Sequence, residues 1–87
     1  MLLPQIINEI KNLKNQPTHR SCLTIFQLLE NNKALFLQNM EPDNFKHVHQ
    51  AFERMGDASP KEYTTPAYRE DFEKAHSLLM FYLDRII

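Results

Sequence analysis

"TPAYREDFEKAHSLLMFYLDRII", residues 65–87, is the stretch of sequence that decides the fold class. Thr65 is a residue type that caps helix N-termini, and Pro66 suits the first helical position, where its missing N–H has no partner. Aromatic and apolar side chains then recur at alternating spacings of four and three, at Tyr68, Phe72, Ala75, Leu79, Tyr82 and Ile86. This period is typical of an amphipathic helix that packs along one seam. The stretch therefore predicts a helix that continues to the end of the chain.

Three further helices are predicted upstream, each near a proline, a residue that helices tolerate only in their first turn. The first covers residues 4–15, and the second covers residues 18–40, where apolar side chains hold one phase for about five turns. The third follows "EPDN", residues 41–44, and ends at Gly56. Glycine adopts the left-handed conformation of a helix C-cap without steric cost, so we expect that conformation at Gly56.

The second helix contains one doubtful point, at Asn31 and Asn32. Asparagine tolerates the left-handed conformation that ends helices, so this segment forms either one helix or two helices joined by a tight turn. We favour one continuous helix. The expected fold is then a single all-α domain over residues 1–87, a small four-helix bundle with an ordered, proline-containing turn between its third and fourth helices.

Composition places the chain among ordinary globular proteins of one domain. It has 87 residues, of which 43% are hydrophobic and 24% are charged, and its formal net charge is −1. No apolar run approaches the roughly 18 residues of a membrane-spanning helix, and the N-terminal segment lacks the features of a signal peptide. The single cysteine, Cys22, has no partner for an internal disulfide and is expected as a buried thiol. We therefore predict a cytoplasmic protein without a membrane span.

The residue types that carry catalysis or bind metals are not arranged for either task. His47 and His49 are two positions apart, which turns their rings about 200° away from each other on a helix, whereas metal ligands on one helix need spacings of three or four. The acidic residues Glu70, Asp71 and Glu73 fall in the first turns of the last helix, where carboxylates interact favourably with the helix dipole. One glycine is too few for a phosphate-binding loop. We therefore expect no enzyme, no metal and no cofactor.

The connection before the last helix, residues 56–71, is a candidate recognition segment. Ser59 and Glu62 have the spacing of a capping box, which predicts an ordered turn. Tyrosine and arginine are enriched where proteins bind one another, because both combine apolar area with hydrogen bonding. The candidate partner-binding residues of this segment are Lys61, Tyr63 and Arg69. The alternative is a structural connector whose tyrosines pack back on the bundle.

The C-terminal half of the last helix is apolar on more than one face. Leu78 and Phe81 widen the apolar seam, and the remaining face carries Met80, Leu83 and Ile87. A helix that is apolar all round must be buried all round. In so small a domain, either this helix lies at the centre or a second copy of the chain covers it. We predict self-association as a homodimer through Met80, Leu83 and Ile87.

Charge is distributed unevenly along the chain, although neither half is strongly charged. Residues 1–40 carry four Lys or Arg and two Glu, whereas residues 41–87 carry six basic and nine acidic side chains. Domains that bind nucleic acid usually show a dense basic patch, and this sequence has none. The preferred function is therefore a non-catalytic adaptor, regulator or inhibitor that binds another protein. The alternative is a nucleic-acid-binding regulator that uses the basic side chains of the first half, Lys11, Lys14, His19, Arg20 and Lys33.

Overall fold

A computed structural model describes residues 2–86 of the chain. These residues form six helices and no strand, which confirms the all-α prediction. The helices are α1 (Leu3–Asn12), α2 (His19–Asn31), α3 (Lys33–Asn39), α4 (Pro42–Gly56), α5 (Pro60–Tyr63) and α6 (Pro66–Leu83). None of the helices between residues 2 and 86 has both the length and the apolar character needed to cross a bilayer.

The helix starts follow the local signals that the sequence offers. Pro42, Pro60 and Pro66 each occupy the first position of a helix. Thr65 caps α6, because its hydroxyl oxygen accepts a hydrogen bond of 3.2 Å from the backbone N–H of Tyr68. Thr18 caps α2 in the same way, through the backbone N–H of Ser21. Both interactions span only three residues, which explains why the sequence alone predicts the cap at Thr65.

The predicted continuous helix over residues 18–40 is wrong, because the helix is interrupted at Asn32. This residue adopts φ −121° and ψ 25°, and its side-chain amide donates a hydrogen bond of 2.9 Å to the carbonyl oxygen of Leu28. A short amide side chain that bonds to a backbone carbonyl competes with the next turn of helix. The break starts α3, which places the buried ring of Phe36 6.0 Å from that of Phe45 in α4. With the separate one-turn α5, six helices replace the expected four among residues 2–86.

One apolar core joins the longer helices. α2 packs along α4, and α6 also packs against α4, where the rings of Phe52 and Phe72 meet edge to face with centroids 6.3 Å apart. The side chain of His76 in α6 is buried, which the sequence did not predict, and its Nε2–H donates a hydrogen bond of 2.7 Å to the carbonyl oxygen of Ile10. This bond joins α6 to the end of α1. The fully buried side chains are Ile6, Ile10, Cys22, Ile25, Leu29, Phe36, Val48, Phe52, Phe72, Leu79 and Leu83.

Gly56 ends α4 as predicted, but not in the left-handed conformation expected of it. The chain has no glycine with positive φ, and the helix is closed instead by the backbone N–H of Asp57, which donates to the carbonyl oxygen of Glu53. A Cβ atom at position 56 would lie 3.2 Å from Cδ2 of Leu23 in α2. The missing side chain therefore lets α2 approach the end of α4 closely.

Candidate functional site

The segment between α4 and α6 is ordered, but the predicted capping box is absent. The side chain of Ser59 caps nothing, and its carbonyl oxygen instead accepts the backbone N–H groups of Glu62 and Tyr63 at 2.9 and 3.0 Å. Threonine hydroxyls close the turn: Thr64 donates to the carbonyl oxygen of Pro60, and Thr65 donates to that of Glu62 at 2.7 Å. α5 and the start of α6 are therefore tied together by short-range hydrogen bonds.

The ring of Tyr63 is held against α2 by His19. The two rings stack with centroids 4.4 Å apart and planes 15° apart, and Tyr63 also meets the ring of Tyr68 edge on. Nε2 of His19 in turn lies 2.7 Å from the carbonyl oxygen of Gly56, so this nitrogen carries the proton and donates it. Tyr63 is half-buried as a result. Its packing matches the alternative interpretation, a connector whose tyrosines pack back on the bundle, while one part of its ring remains exposed.

Tyr68 lies in the core and joins three helices through its hydroxyl. This group donates to the carbonyl oxygen of Met55 at 3.0 Å and lies 3.1 Å from Sγ of Cys22. Burial, helped by the neighbouring Cys22, raises the pKa of Tyr68 well above its usual range. Burial also raises the pKa of Cys22, although the hydrogen bond with Tyr68 opposes this shift. Both groups are therefore neutral at neutral pH, and Cys22 is a structural thiol without the ionisation that a nucleophile needs.

Two of the three predicted partner-binding residues line one groove. Tyr63 and Arg69 face a groove of about 570 Å³ between residues 15–18, which connect α1 to α2, and residues 63–66. The side chain of Arg69 is exposed. Lys61 is also exposed, but it lines a different groove of about 390 Å³ beside Met55 and Asp71. The structure thus brings Tyr63 and Arg69 together in what we name the Arg69 groove, and separates Lys61 from them.

The structure describes two of the three predicted self-association residues. Leu83 is fully buried within its own chain, so no second copy is needed to cover it. Met80 is half-buried and packs against the core, whereas Ile87 lies outside the residues that the structure describes. The most exposed side chain of the C-terminal apolar run is Phe81, at 51%. The apolar excess of α6 is therefore divided between an intramolecular core and an exposed face.

The two histidines of α4 have different environments. His47 is exposed, whereas His49 is half-buried between the rings of Phe26 and Phe45, with its Nε2 bonded to a carboxylate oxygen of Glu30. Among residues 2–86, no three His, Cys, Asp or Glu side chains are grouped closely enough to hold a metal ion. His49 thus connects α4 to α2.

The basic residues proposed for the alternative function lie on several elements of the first half. Lys11, Lys14, Arg20 and Lys33 are exposed on α1, the following turn, α2 and α3. The His19 ring already stacks on the Tyr63 ring, and its Nε2 is hydrogen-bonded to the carbonyl oxygen of Gly56.

Comparisons of the chain with protein-family models, with curated proteins and with solved structures found no match.

Sequence reasoning missed the residues that support the groove, above all His19. The only sequence signal for them is the register of Tyr68, which continues the apolar seam of α6 and so predicts a buried ring. Nothing local links His19 to Tyr63, because 44 positions separate them.

Proposed function

We propose that the protein is a non-catalytic adaptor, regulator or inhibitor that binds another protein through the Arg69 groove, and that it acts in the cytoplasm as a homodimer. The observation that carries this proposal is the position of the exposed Arg69 side chain beside a Tyr63 ring that is already fixed by His19. A cytoplasmic location agrees with the single, buried Cys22 thiol.

The fixed ring favours binding for an entropic reason. Immobilising a flexible side chain on binding costs about 0.5–1.5 kcal/mol. The Tyr63 ring stacks on His19 and touches Tyr68, so a large part of this cost is met during folding. A partner that contacts the exposed part of the ring gains apolar contact with little further ordering.

The chemistry of the groove indicates the kind of segment that would bind there. Arg69 is exposed, and its planar guanidinium suits a carboxylate, with which it forms paired hydrogen bonds. Residues 15–18 and 63–66 add exposed polar side chains along both walls. We therefore propose as ligand a protein segment that presents an acidic side chain next to an apolar one.

Quantitative capture from the host's cell extract, with reversal of one charge, tests this function. The wild type, Arg69→Glu and Lys46→Glu are immobilised separately; Lys46 is an exposed residue of α4 outside the groove, so its variant makes the same charge change elsewhere. We expect at least one protein to be retained by the wild type and by Lys46→Glu and to fall about tenfold or more with Arg69→Glu. Equal recovery of every captured protein by all three would contradict the proposed binding site.

A further inference from the structure

One exposed face of α6 has a charge pattern that is complementary to itself. Its members recur at spacings of four, four, three and four and form a stripe along the helix: Glu70, Lys74, Leu78, Phe81 and Arg85. We name this set the α6 stripe. All of its side chains are exposed except Leu78, which is half-buried, and Arg85 lies two positions after Leu83, the last residue of α6.

Phe81 is the centre of the apolar part of the stripe. It is 51% exposed, and the guanidinium carbon of Arg85 lies 4.1 Å from the centroid of its ring. The other exposed large apolar side chains among residues 2–86 are the leucines Leu2, Leu23 and Leu37, so Phe81 is the exposed aromatic ring of this set, and it lies one turn from Leu78. Exposed aromatic area that is bordered by polar groups is typical of protein interaction surfaces.

Four members of the stripe are placed symmetrically about the point between Ser77 and Leu78, and Leu78 itself would face Ser77 of the other copy. Glu70 lies seven positions before Ser77, and Arg85 lies seven positions after Leu78. In the same way, Lys74 lies three positions before Ser77, and Phe81 lies three positions after Leu78. If two α6 helices pair in antiparallel orientation about this point, each Glu70 faces the Arg85 of the other copy. Lys74 then faces the ring of Phe81 in the other copy, a contact that a cation and an aromatic face make favourably.

We infer that the α6 stripe is the contact surface of a homodimer, and that its occupant is the α6 helix of a second copy, antiparallel and related by a two-fold axis near Ser77. This inference rests on the proposed homodimer and names its surface. A two-fold interface brings together the same patch of both subunits, so a patch with acid at one end and base at the other meets its complement only in this orientation. The small side chain of Ser77 at the axis allows the two helices to approach closely.

The two ends of the stripe carry opposite charges, and the Arg85 guanidinium also lies over the Phe81 ring of its own chain. Among residues 2–86, neither Glu70 nor Arg85 takes part in a salt bridge. In a parallel arrangement, like charges would meet at both ends, which disfavours pairing. The proposed contact involves one helix from each copy, so we expect weak association that depends on the protein concentration.

Charge reversal of Glu70 and Arg85 tests the pairing directly. In Arg85→Glu, acid faces acid at both ends of the dimer, and in Glu70→Arg, base faces base. We expect each variant to raise the dissociation constant about tenfold, measured by sedimentation from about 10 to about 500 µM, where the wild type approaches twice its mass of 10.4 kDa. An equimolar mixture of the two variants restores both opposite-charge pairs, so we expect it to associate about as tightly as the wild type.

Two controls separate the stripe from general effects of charge and folding. Lys46→Glu and Glu62→Arg reverse exposed charges outside the stripe, and we expect both to associate as the wild type does. Phe81→Ser removes the central ring, whereas Leu37→Ser alters an exposed leucine on α3, and only the former should abolish the dimer. Circular dichroism of each variant verifies that the helices are intact.

The outcomes distinguish this inference from the proposed function. A wild type that stays monomeric at about 500 µM overturns both the homodimer and its surface. A wild-type dimer with a mixture of variants that fails to associate overturns only the α6 stripe and moves the interface elsewhere, for example to the exposed Leu23. Capture of a partner that depends on Arg69 but not on Arg85 leaves protein binding intact whichever of these results is obtained.

Discussion

The hydroxyl oxygen of Tyr68 lies 3.1 Å from Sγ of Cys22, although the two residues are 46 positions apart. The same hydroxyl donates a hydrogen bond to the carbonyl oxygen of Met55. One polar group thereby joins α6, α2 and α4 in the core. It also supports Tyr63, whose ring rests edge on against the Tyr68 ring at the wall of the Arg69 groove.

Tyr68→Phe should lower the free energy of unfolding by about 1–2 kcal/mol, because it removes the hydroxyl and leaves a buried carbonyl oxygen and a thiol with fewer partners. Urea denaturation measures this difference. Tyr82→Phe is the matched control, since the half-buried Tyr82 makes no side-chain hydrogen bond with residues 2–86. Equal stability of both variants would show that the Tyr68 hydroxyl does not stabilise the core.

The stability of the protein should fall as the pH rises above about 9. Cys22 and Tyr68 have ordinary pKa values of 9.0 and 10.0, and burial raises the pKa of both in the folded state. The unfolded chain therefore loses these protons first, so the stabilisation is fully present below the ordinary values and is lost as the pH rises from them toward the folded pKa values. Denaturation at pH values from about 7 to about 10.5 measures the slope.

Cys22→Ala is the variant that assigns this pH dependence. It removes the thiol, so the fall in stability should begin about one pH unit higher, where tyrosine ionises in the unfolded chain. The variant also leaves a small cavity, and the comparison therefore uses slopes against pH and not absolute stabilities. An identical slope in the variant and the wild type would show that Cys22 ionises equally in both states.

His19 and Tyr63 should stabilise the fold as a pair. His19→Ala and Tyr63→Ala are each expected to cost about 1 kcal/mol, and the double variant should cost less than the sum by about 0.5–1.5 kcal/mol, the size of an aromatic pair interaction. Thermal and urea denaturation of the four proteins measure this coupling. Strict additivity would mean that the stacked rings contribute no interaction of their own.

Arg69→Ala should behave differently from Tyr63→Ala, because Arg69 is exposed. We expect its melting temperature to remain that of the wild type, while affinity for a protein captured through the groove falls by roughly 1–3 kcal/mol. Calorimetric titration of that protein measures the affinity. Tyr63→Phe is the accompanying control, since it keeps the ring that stacks on His19. Reduced stability of Arg69→Ala would assign Arg69 to the fold instead of to binding.

Leu83 should behave as a core residue even though it lies near the chain end. Leu83→Ala is expected to lower the free energy of unfolding by about 2–5 kcal/mol, as is Leu79→Ala, because both side chains are fully buried. The neighbouring Phe81→Ala should change it by less than about 0.5 kcal/mol, since surface substitutions have small effects. Chemical denaturation at concentrations where the chain is monomeric distinguishes the two. An unchanged free energy of unfolding for Leu83→Ala would make this side chain a candidate dimer contact again.

The seam of α6 shows how far a sequence pattern reaches. Tyr68, Phe72 and Leu79 are buried as the alternating spacing predicts, but at the end of the helix the fully buried residue is Leu83, and Tyr82 is half-exposed. A straight helix drifts by about 20° per heptad from a strict period of 3.5 residues. Over two heptads this drift turns the next residue toward the core, so the pattern predicts the face well near its start and less well near its end.

The amino-acid sequence by itself determined the helical class, most helix starts and the buried faces. Thr65 with Pro66 and the recurrence of apolar residues act over three or four positions, so their effects are nearly independent of the rest of the chain. Asn32 and Ser59 mark the limit of such signals. The side-chain amide of Asn32 bonds to the carbonyl oxygen of Leu28 and ends a helix that the apolar period predicts to continue. The hydroxyls of Thr64 and Thr65 close the turn after α4 in place of the capping box expected at Ser59.

Only the tertiary structure decided which side chains meet across the molecule. His19 reaches Tyr63, Cys22 reaches Tyr68, and His76 reaches the carbonyl oxygen of Ile10, 66 positions away. Such pairs depend on which helices pack together and on their relative registers, and both are set by the close packing of the whole core. The same packing buried Leu83 within its own chain and left Phe81 exposed beside Arg85, a division of one apolar run that no local pattern contains.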